Sequence, residues 1–375
     1  MIGIKYISPA DNSGYGVAAK AYLKGLIRSG VPITWTPLVK GRSLGLGYEP
    51  GHIVPDDELL RSVCNLPINY DTVIIHAVPE YIPYFVSKEP EKRWIAYSAW
   101  ETNIIPAHWP KLFEPCQAIL VPSNFSKEAF LRRGVSCPIH VIPHIATEQK
   151  LSTIELFPDL SPECFVFYTI AEWIPRKACN LTIQAYLKAF TAADNCMLIV
   201  KTGKYDQAYS RWLKLFQTVR RQISQMRSRY RHPAKIKIMD QNLSKEEINA
   251  LHGRGNCFVS LTRGEGWGLG AFEAAKVGNP VVITGHGGQT EYLPKNYSEL
   301  VNYSLVHVKS NARWSSYEAD QVWAEPEVEH AASLLRDLAT NPVKAKKIGA
   351  LLKNRIRKHY HEKMIIENLL NVFIQ

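Results

Sequence analysis

The segment Gly264-Glu265-Gly266-Trp267-Gly268-Leu269-Gly270-Ala271-Phe272-Glu273-Ala274-Ala275, continuing into Gly278-Asn279-Pro280-Val281-Val282-Ile283, sets the architecture expected of the chain. Just before it, Cys257-Phe258-Val259-Ser260-Leu261 is a short apolar run that reads as a buried strand, and the alternating glycines break that strand into a tight loop. A helix is expected to start near Gly268, because Leu269, Phe272 and Ala275 recur at helical spacing. Gly278 and Pro280 end it before a strand that begins at Val281. Strand, glycine loop, helix and strand together present backbone N–H groups and the positive end of a helix dipole to an anion. Glycines leave room for the anion to approach, and a diphosphate suits such a cradle.

Two carboxylates flank the loop, Glu265 ahead of the helix and Glu273 inside it. A carboxylate repels phosphate, but it accepts hydrogen bonds from two neighbouring hydroxyls on a ribose or a hexose. On spacing alone both acids also read as ordinary surface residues. Their place in a glycine loop is what favours a ligand with a phosphate centre and hydroxyl-rich ends.

Here the chain resembles the retaining glycosyltransferases of GT-B fold, family 4 (group 1 type). The resemblance rests on Glu265-Gly266-Trp267-Gly268-Leu269, then Glu273, then Gly278-Asn279-Pro280-Val281-Val282, then Gly287-Gly288-Gln289-Thr290-Glu291. It implies an α/β chain of two Rossmann-like domains facing across a deep cleft. An N-terminal acceptor-binding domain would span 1–150, a nucleotide-sugar donor domain 151–355, and a terminal helix at 356–375 would pack back on the first domain. By the same resemblance Gly266, Trp267, Gly268, Leu269 and Gly270 contact the donor, Glu273 takes the ribose and Glu265 the transferred sugar.

The 375 residues and 46% hydrophobic content allow two cores. No run of about 18 apolar residues is present, and Met1 to Ile7 is too soon interrupted for a signal peptide. Seven scattered cysteines without Cys-x-x-Cys spacing indicate neither a disulfide framework nor a zinc site, which fits a reducing cytoplasm. The formal charge of +11 favours an anionic partner: a nucleotide sugar, a membrane surface or a nucleic acid.

In the first half, Ile2 to Ile7 reads as a strand, Ser8 to Gly16 as a flexible loop and Val17 to Ser29 as a helix. Gly14 and Gly16 lack dinucleotide-fingerprint spacing; the resemblance places their loop near the acceptor and the donor phosphates. His76 ends the strand Asp71 to His76, where an open sheet puts ligand-facing residues. The resemblance sets it beside the transferred sugar, and it reads equally as a hydrogen-bonded structural histidine. Tyr97, Trp100 and Glu101 follow another strand and offer an acceptor platform or, alternatively, domain core. Ser123 is an expected N-cap, His140 to His144 the last strand of this half, and 146–163 a linker.

The second half opens with Phe165 to Ile170 and then Ala171-Glu172-Trp173-Ile174-Pro175-Arg176-Lys177. Relatives carry an Arg at this strand's end and a Lys five residues on, both on the donor diphosphate. Lys177 matches the Lys and Glu172 stands at the Arg position, so Arg176 is the residue that would supply the missing charge. Lys201, ending the strand from Cys196, is a further phosphate or base-side candidate. Ile236 to Met239 reads as a strand, and Leu243 to Ile248 as a capping box with its helix. Between Arg211 and Lys235 no Asp or Glu occurs, while Trp212, Leu215, Phe216, Val219 and Ile223 recur at helical spacing. The segment is expected to be a basic amphipathic helix, packed on its domain or touching an anionic membrane at its inner face. Residues 326–340 and 342–374 read as helices.

The function expected from these features is transfer of a sugar from a nucleoside diphosphate sugar, UDP- or GDP-linked, to a sugar or lipid-linked acceptor. The resemblance adds retention of configuration by same-face attack, with no metal or other cofactor, and with Lys177, Arg176, Glu265 and His76 in catalysis. A nucleotide-sugar epimerase of the same fold, or a non-enzymatic binder of anions such as nucleic acid, is the alternative.

Overall fold

The computed structural model describes residues 2–148, 152, 154–206, 217–309 and 316–374. The chain divides into two units, Met1–Thr147 with His359–Gln375, and Glu148–Lys358. Each carries its own parallel-dominated sheet.

The first sheet is formed by β1 (Ile4–Pro9), β2 (Ile33–Lys40), β3 (Tyr48–Pro50), β4 (Thr72–His76), β5 (Arg93–Tyr97), β6 (Ala118–Val121) and β7 (Ile139–Val141). Its order is β3-β2-β1-β4-β5-β6-β7, parallel except where β3 pairs with β2. Helices α1 (Gly14–Arg28), α2 (Glu58–Arg61), α3 (Ile82–Val86), α4 (Trp109–Leu112) and α5 (Asn124–Arg132) lie between the strands in sequence. All of β4 is buried, as expected of a parallel strand covered on both faces. Ser123 caps α5 as expected, its side chain accepting from Ser126 N at 3.1 Å.

The loop expected over Ser8 to Gly16 is shorter than its composition suggests. Ser13 Oγ accepts a hydrogen bond from Gly16 N (3.3 Å), which starts α1 at Gly14 and draws both glycines into its first turn. A Cβ at Gly16 would lie 2.3 Å from Asp11 O, so glycine is required there for the loop to fold against its own helix.

In the second unit, β8 (Phe165–Ile170), β9 (Cys196–Lys201), β10 (Lys235–Met239), β11 (Cys257–Ser260), β12 (Val281–Thr284) and β13 (Leu300–Val301) form a parallel sheet of order β10-β9-β8-β11-β12-β13. A separate hairpin pairs β14 (Tyr303–His307) with β15 (Val322–Pro326). The helices are α6 (Cys179–Ala189), α7 (Val219–Arg227), α8 (Lys245–Arg254), α9 (Leu269–Val277), α10 (Val328–Thr340) and α11 (Pro342–His359). Ile183, Tyr186, Leu198, Val259, Val282 and Leu335 are among its core side chains.

Two helical expectations need correction. The stretch from Arg211 to Lys235 is not one helix: α7 covers only Val219–Arg227, and Lys235 already starts β10, because the chain must return to pair with β9. Residues 211–216, with Trp212, Leu215 and Phe216, lie outside the described residues. The stretch 342–374 is two helices, α11 and α12 (Glu362–Ile374), broken at Tyr360 and His361. Ile365, Ile366 and Leu369 of α12 enter the core of the first unit with Leu23 and Leu26 of α1. Arg93 fixes the helix end by donating to Phe373 O (2.9 Å) and Val372 O (3.2 Å).

In both sheets the strand order reverses beside the unit's first strand, between β1 and β4 and between β8 and β11. Loops leaving the carboxyl ends at such a switch point are where an open α/β sheet takes its ligand. Among the described residues, no helix is long and apolar enough to cross a membrane.

Candidate active site

At the second switch point two loops are latched together. The loop after β8 ends in Ala178, a non-glycine residue at φ +44° that caps α6. Left-handed backbone at such a residue costs on the order of 1–3 kcal/mol and persists only where its surroundings hold it. The holding groups come from the loop after β11. Arg263 N donates to Arg176 O (2.7 Å), Thr262 Oγ1 donates to the same oxygen (3.3 Å), and Arg176 Nη1 donates back to Gly264 O (2.6 Å). Arg263 is itself anchored by a bidentate pair with Glu325 (2.6 and 3.0 Å).

Across this latch Lys177 Nζ donates to both oxygens of Glu265, at 2.6 and 2.7 Å, and Arg176 Nη1 stands 3.4 Å from Oε2. Glu265 is only 7% exposed. Burial alone would push its carboxyl up; the Lys177 ammonium and the Arg176 guanidinium outweigh it and hold the group below the usual carboxylate value. Its backbone is tied as well, since Gly288 N donates to Glu265 O (2.7 Å).

Gly268 follows at φ +81° and caps α9, so the chain turns in a conformation open to glycine just where the helix begins. The first N–H groups of α9 have no preceding turn to bond to, and they point out of its amino end. Trp267 is buried against Phe272 and Tyr292, with ring centroids 5.3 and 5.2 Å away, and Tyr292 donates to Gly268 O (3.1 Å). Gly266 and Gly270 belong to the same turn. Leu269 is half-buried, while Phe272 and Ala275 face the core as their spacing requires. Glu273, on the second turn of α9, is partly exposed and ion-paired with Lys276. Lys201, at the carboxyl end of β9, donates to Thr202 O (3.1 Å), and burial pulls its ammonium below the ordinary lysine value.

Arg176, Lys177, Glu265 and the 266–270 turn therefore converge. Glu172 is exposed, and the guanidinium of Arg176 is turned onto Gly264 O, so Lys177 is the more open cation, at 23% side-chain exposure against 11%. The sequence by itself does not single out Ala178, Arg263 or Tyr292. An alanine carries no signal for left-handed backbone, and the partner of Arg263 lies far along the chain.

The candidates of the first unit are placed differently. His76 is 1% exposed; its Nδ1 is 2.7 Å from Tyr6 Oη, and its ring lies 4.0 Å from that of Tyr97. Burial, and secondarily His144, hold the imidazole well below its ordinary value, so it is neutral. Of the two readings of Tyr97 and Trp100, acceptor platform or domain core, the packing favours core: both rings are interior, at 2% and 3% exposure. Tyr97 donates to Ile142 O (2.8 Å), and Trp100 Nε1 donates to Thr102 Oγ1 (2.6 Å) and Ile104 O (2.7 Å) while packing edge-on against Trp109. The strand leaves them on faces covered by α1 and α4, and backbone carbonyls satisfy their polar atoms. Glu101 is half-buried beside them. Tyr15, one residue from Gly14 and Gly16, bridges α1 to the end of β5 by accepting from Ala99 N (3.1 Å).

Two Rossmann-like sheets and a glycine turn that opens a helix beside paired Lys and Glu are the arrangement expected of a GT-B fold. The chain belongs to the family described as family 4 glycosyltransferase in conflict systems, whose model matches residues 141–364. Its fold is that of sucrose-phosphate synthase from Thermosynechococcus elongatus, with a TM-score of 0.71 at 14% identity over 100% of this chain and 99% of that one. Anabaena HepE, solved with UDP-glucose, gives 0.68 at 11% identity over 100% and 99%. A glycosyltransferase from Rickettsia africae ESF-5 gives 0.64 at 15% identity over 99% and 97%. No curated protein matches the chain in sequence.

Proposed function

We propose that the chain transfers a sugar from a nucleoside diphosphate sugar, UDP- or GDP-linked, to a sugar or lipid-linked acceptor, with retention and without a metal. The observation that carries this reading is the pairing of half-buried Lys177 with buried Glu265 beside the amino end of α9, at a sheet switch point. Family membership supports it, and so does a fold shared with structures solved with UDP-glucose.

In this reading the ion pair is a resting arrangement. A donor bound at the α9 turn brings its diphosphate to Lys177 and to the helix N–H groups, and the ammonium leaves Glu265 for the phosphate oxygens. The carboxylate, released, accepts hydrogen bonds from hydroxyls of the transferred sugar, while Glu273 accepts from the ribose. As the glycosidic bond breaks, negative charge grows on the diphosphate, and preorganised cations and N–H groups stabilise that charge more than they stabilise the ground state. The acceptor hydroxyl attacks from the same face and gives its proton to the departing diphosphate. Arg176 holds the loop and adds positive potential, and Lys201 stands ready on the nucleotide side. His76 serves as a neutral positioning residue within the first unit, which is taken as the acceptor-binding domain, with Glu101 its most open candidate.

Thermal unfolding with UDP, GDP and their sugars tests the reading. A ligand at 100 times its Kd raises stability by about 2.7 kcal/mol; no shift with any of them, in EDTA or with added divalent cation, removes the donor site. Product analysis of donor plus water then separates transfer and hydrolysis from epimerisation.

Peripheral contact with an anionic membrane belongs to the same reading. In the described part of 211–235, however, Val219 and Ile223 are buried, Met226 and Tyr230 are partly buried against the core, and Arg220 is held by Asp240.

A further inference from the structure

Helix α11 carries Lys and Arg along its length and not one Asp or Glu. Two of its cations are committed inward: Lys344 pairs with Glu299 (2.9 Å) and Asp337 (2.5 Å), and Arg355 donates to Tyr292 O (2.9 Å). The others, Lys346, Lys347, Lys353, Arg357 and Lys358, are exposed and make no hydrogen bond or ion pair among the described residues. One side of the helix is buried through Ala345, Gly349, Leu352 and Ile356.

The outer side is not purely polar. Val343 is 63% and Leu351 54% exposed. They are separated by two helical turns, about 12 Å, and share a face with Lys347 and Lys358. A lone exposed aliphatic needs no explanation. Two in register, flanked by cations that lack counter-charges, form the pattern of a helix lying in a bilayer interface, with apolar side chains at the acyl boundary and ammonium groups at headgroup phosphates.

We infer that the outer face of α11 docks this protein on an anionic lipid surface. Charge complementarity selects the anionic partner, and the aliphatic pair selects lipid over nucleic acid, whose phosphates gain nothing from Val343 and Leu351. The inference does not rest on the proposed donor site.

Flotation with phosphatidylcholine vesicles, with and without a third of phosphatidylglycerol, tests it on the full chain. Wild type is expected to float with the anionic vesicles only and to be released at 1 M salt. Each cation near such a surface contributes roughly fivefold to binding, so Lys347→Gln with Lys358→Gln should weaken it roughly 25-fold. Val343→Ser with Leu351→Ser leaves the charge unchanged and should also weaken binding, which pure electrostatics does not predict. These positions are exposed, so thermal unfolding should match wild type. Equal flotation with both vesicle types, full binding by either double variant, or retention on DNA by the same lysines without flotation would each overturn the inference.

Discussion

At the first switch point the side chains ending β4 and β5, His76 and Tyr97, turn inward and close on Tyr6, Tyr22 and Ile142. At the second, Lys177 and Glu265 leave the loops after β8 and β11 and close on each other. The topology is shared and the chemistry differs. An uncharged aromatic is buried at little cost once its polar atom has one partner. A carboxylate taken out of water needs a cation, and the pair is still often no more stabilising than well-packed apolar residues. A nearly buried Lys–Glu pair at a ligand-taking edge is therefore better explained by what it does with a ligand than by what it adds to stability.

The largest expected effect tests the first half of that comparison. Trp100→Ala removes a ring buried to 3% against Trp109 and should cost about 3–5 kcal/mol in urea unfolding. Donor affinity per folded molecule should stay unchanged. A Trp100→Ala protein of wild-type stability with an altered acceptor KM would return Trp100 to the ligand surface and dissolve the contrast.

Next in size is the second half. Lys177→Ala should lower kcat by about 10² to 10³, as expected for loss of one preorganised group facing leaving-group charge. Glu265→Gln keeps the shape and removes the competitor for Lys177, so free nucleoside diphosphate should bind at least as tightly while turnover falls. Calorimetry and steady-state kinetics read the two effects separately; weaker diphosphate binding by Glu265→Gln would refute the resting-pair account.

The legibility of the sequence follows the same division. Strands such as Phe165–Ile170 and Cys196–Lys201 are plain apolar runs and lie where their composition puts them. The 264–275 turn is legible because glycine, carboxylate and helix period coincide within a few residues. Strand β2 is harder to see, for Pro37 interrupts its run and demotes it from a central position. What the sequence hides is direction. Nothing local distinguishes Trp100, turned into the core, from an exposed platform, because its polar partners, the Thr102 hydroxyl and the Ile104 carbonyl, are groups that any loop offers and its packing partner Trp109 depends on the fold. Ala178 is hidden for another reason, since its strained backbone is imposed by Arg176 and Arg263 contacts that come from 85 or so residues away on one side.

Smaller effects sharpen the donor side. Gly268→Ala places a Cβ at φ +81° and 3.1 Å from Gln289 Cβ, a strain of about 1–2 kcal/mol. The turn that opens α9 should relax, weakening nucleoside diphosphate binding about tenfold in calorimetry. Glu273→Ala should weaken donor and free diphosphate alike, and it should also cost some stability, because Lys276, only 8% exposed, loses its ion-pair partner. A Glu273→Ala variant that binds like wild type would remove the ribose assignment.

The last effect concerns acid, where the two units should differ by about one histidine. In the first unit burial holds His76 well below its ordinary value and His144 down to about 3. In the second, burial and then Lys276 hold His252 down to about 3. Unfolding lets each bind a proton below about pH 6.5 that the folded form refuses, so stability is complete above that pH and is lost as pH falls. The slope approaches about 1.4 kcal/mol per pH unit for each such histidine. Glu265 also withdraws stability as pH falls, but only in more acidic solution, from the ordinary carboxylate value downward through its depressed folded one, so it adds little between pH 6.5 and 5. In that window the first unit carries two such histidines and the second one, with His140 adding a lesser share to the first because it is only partly buried. Urea titrations followed by hydrogen exchange on β4 and β5 against β11 and β12, corrected for intrinsic exchange, should show the first unit losing stability faster from pH 7 to 5. Equal losses would mean that the inward-turned histidines at the first switch point are not held neutral, and the distinction drawn between the two sheet edges would lose its electrostatic half.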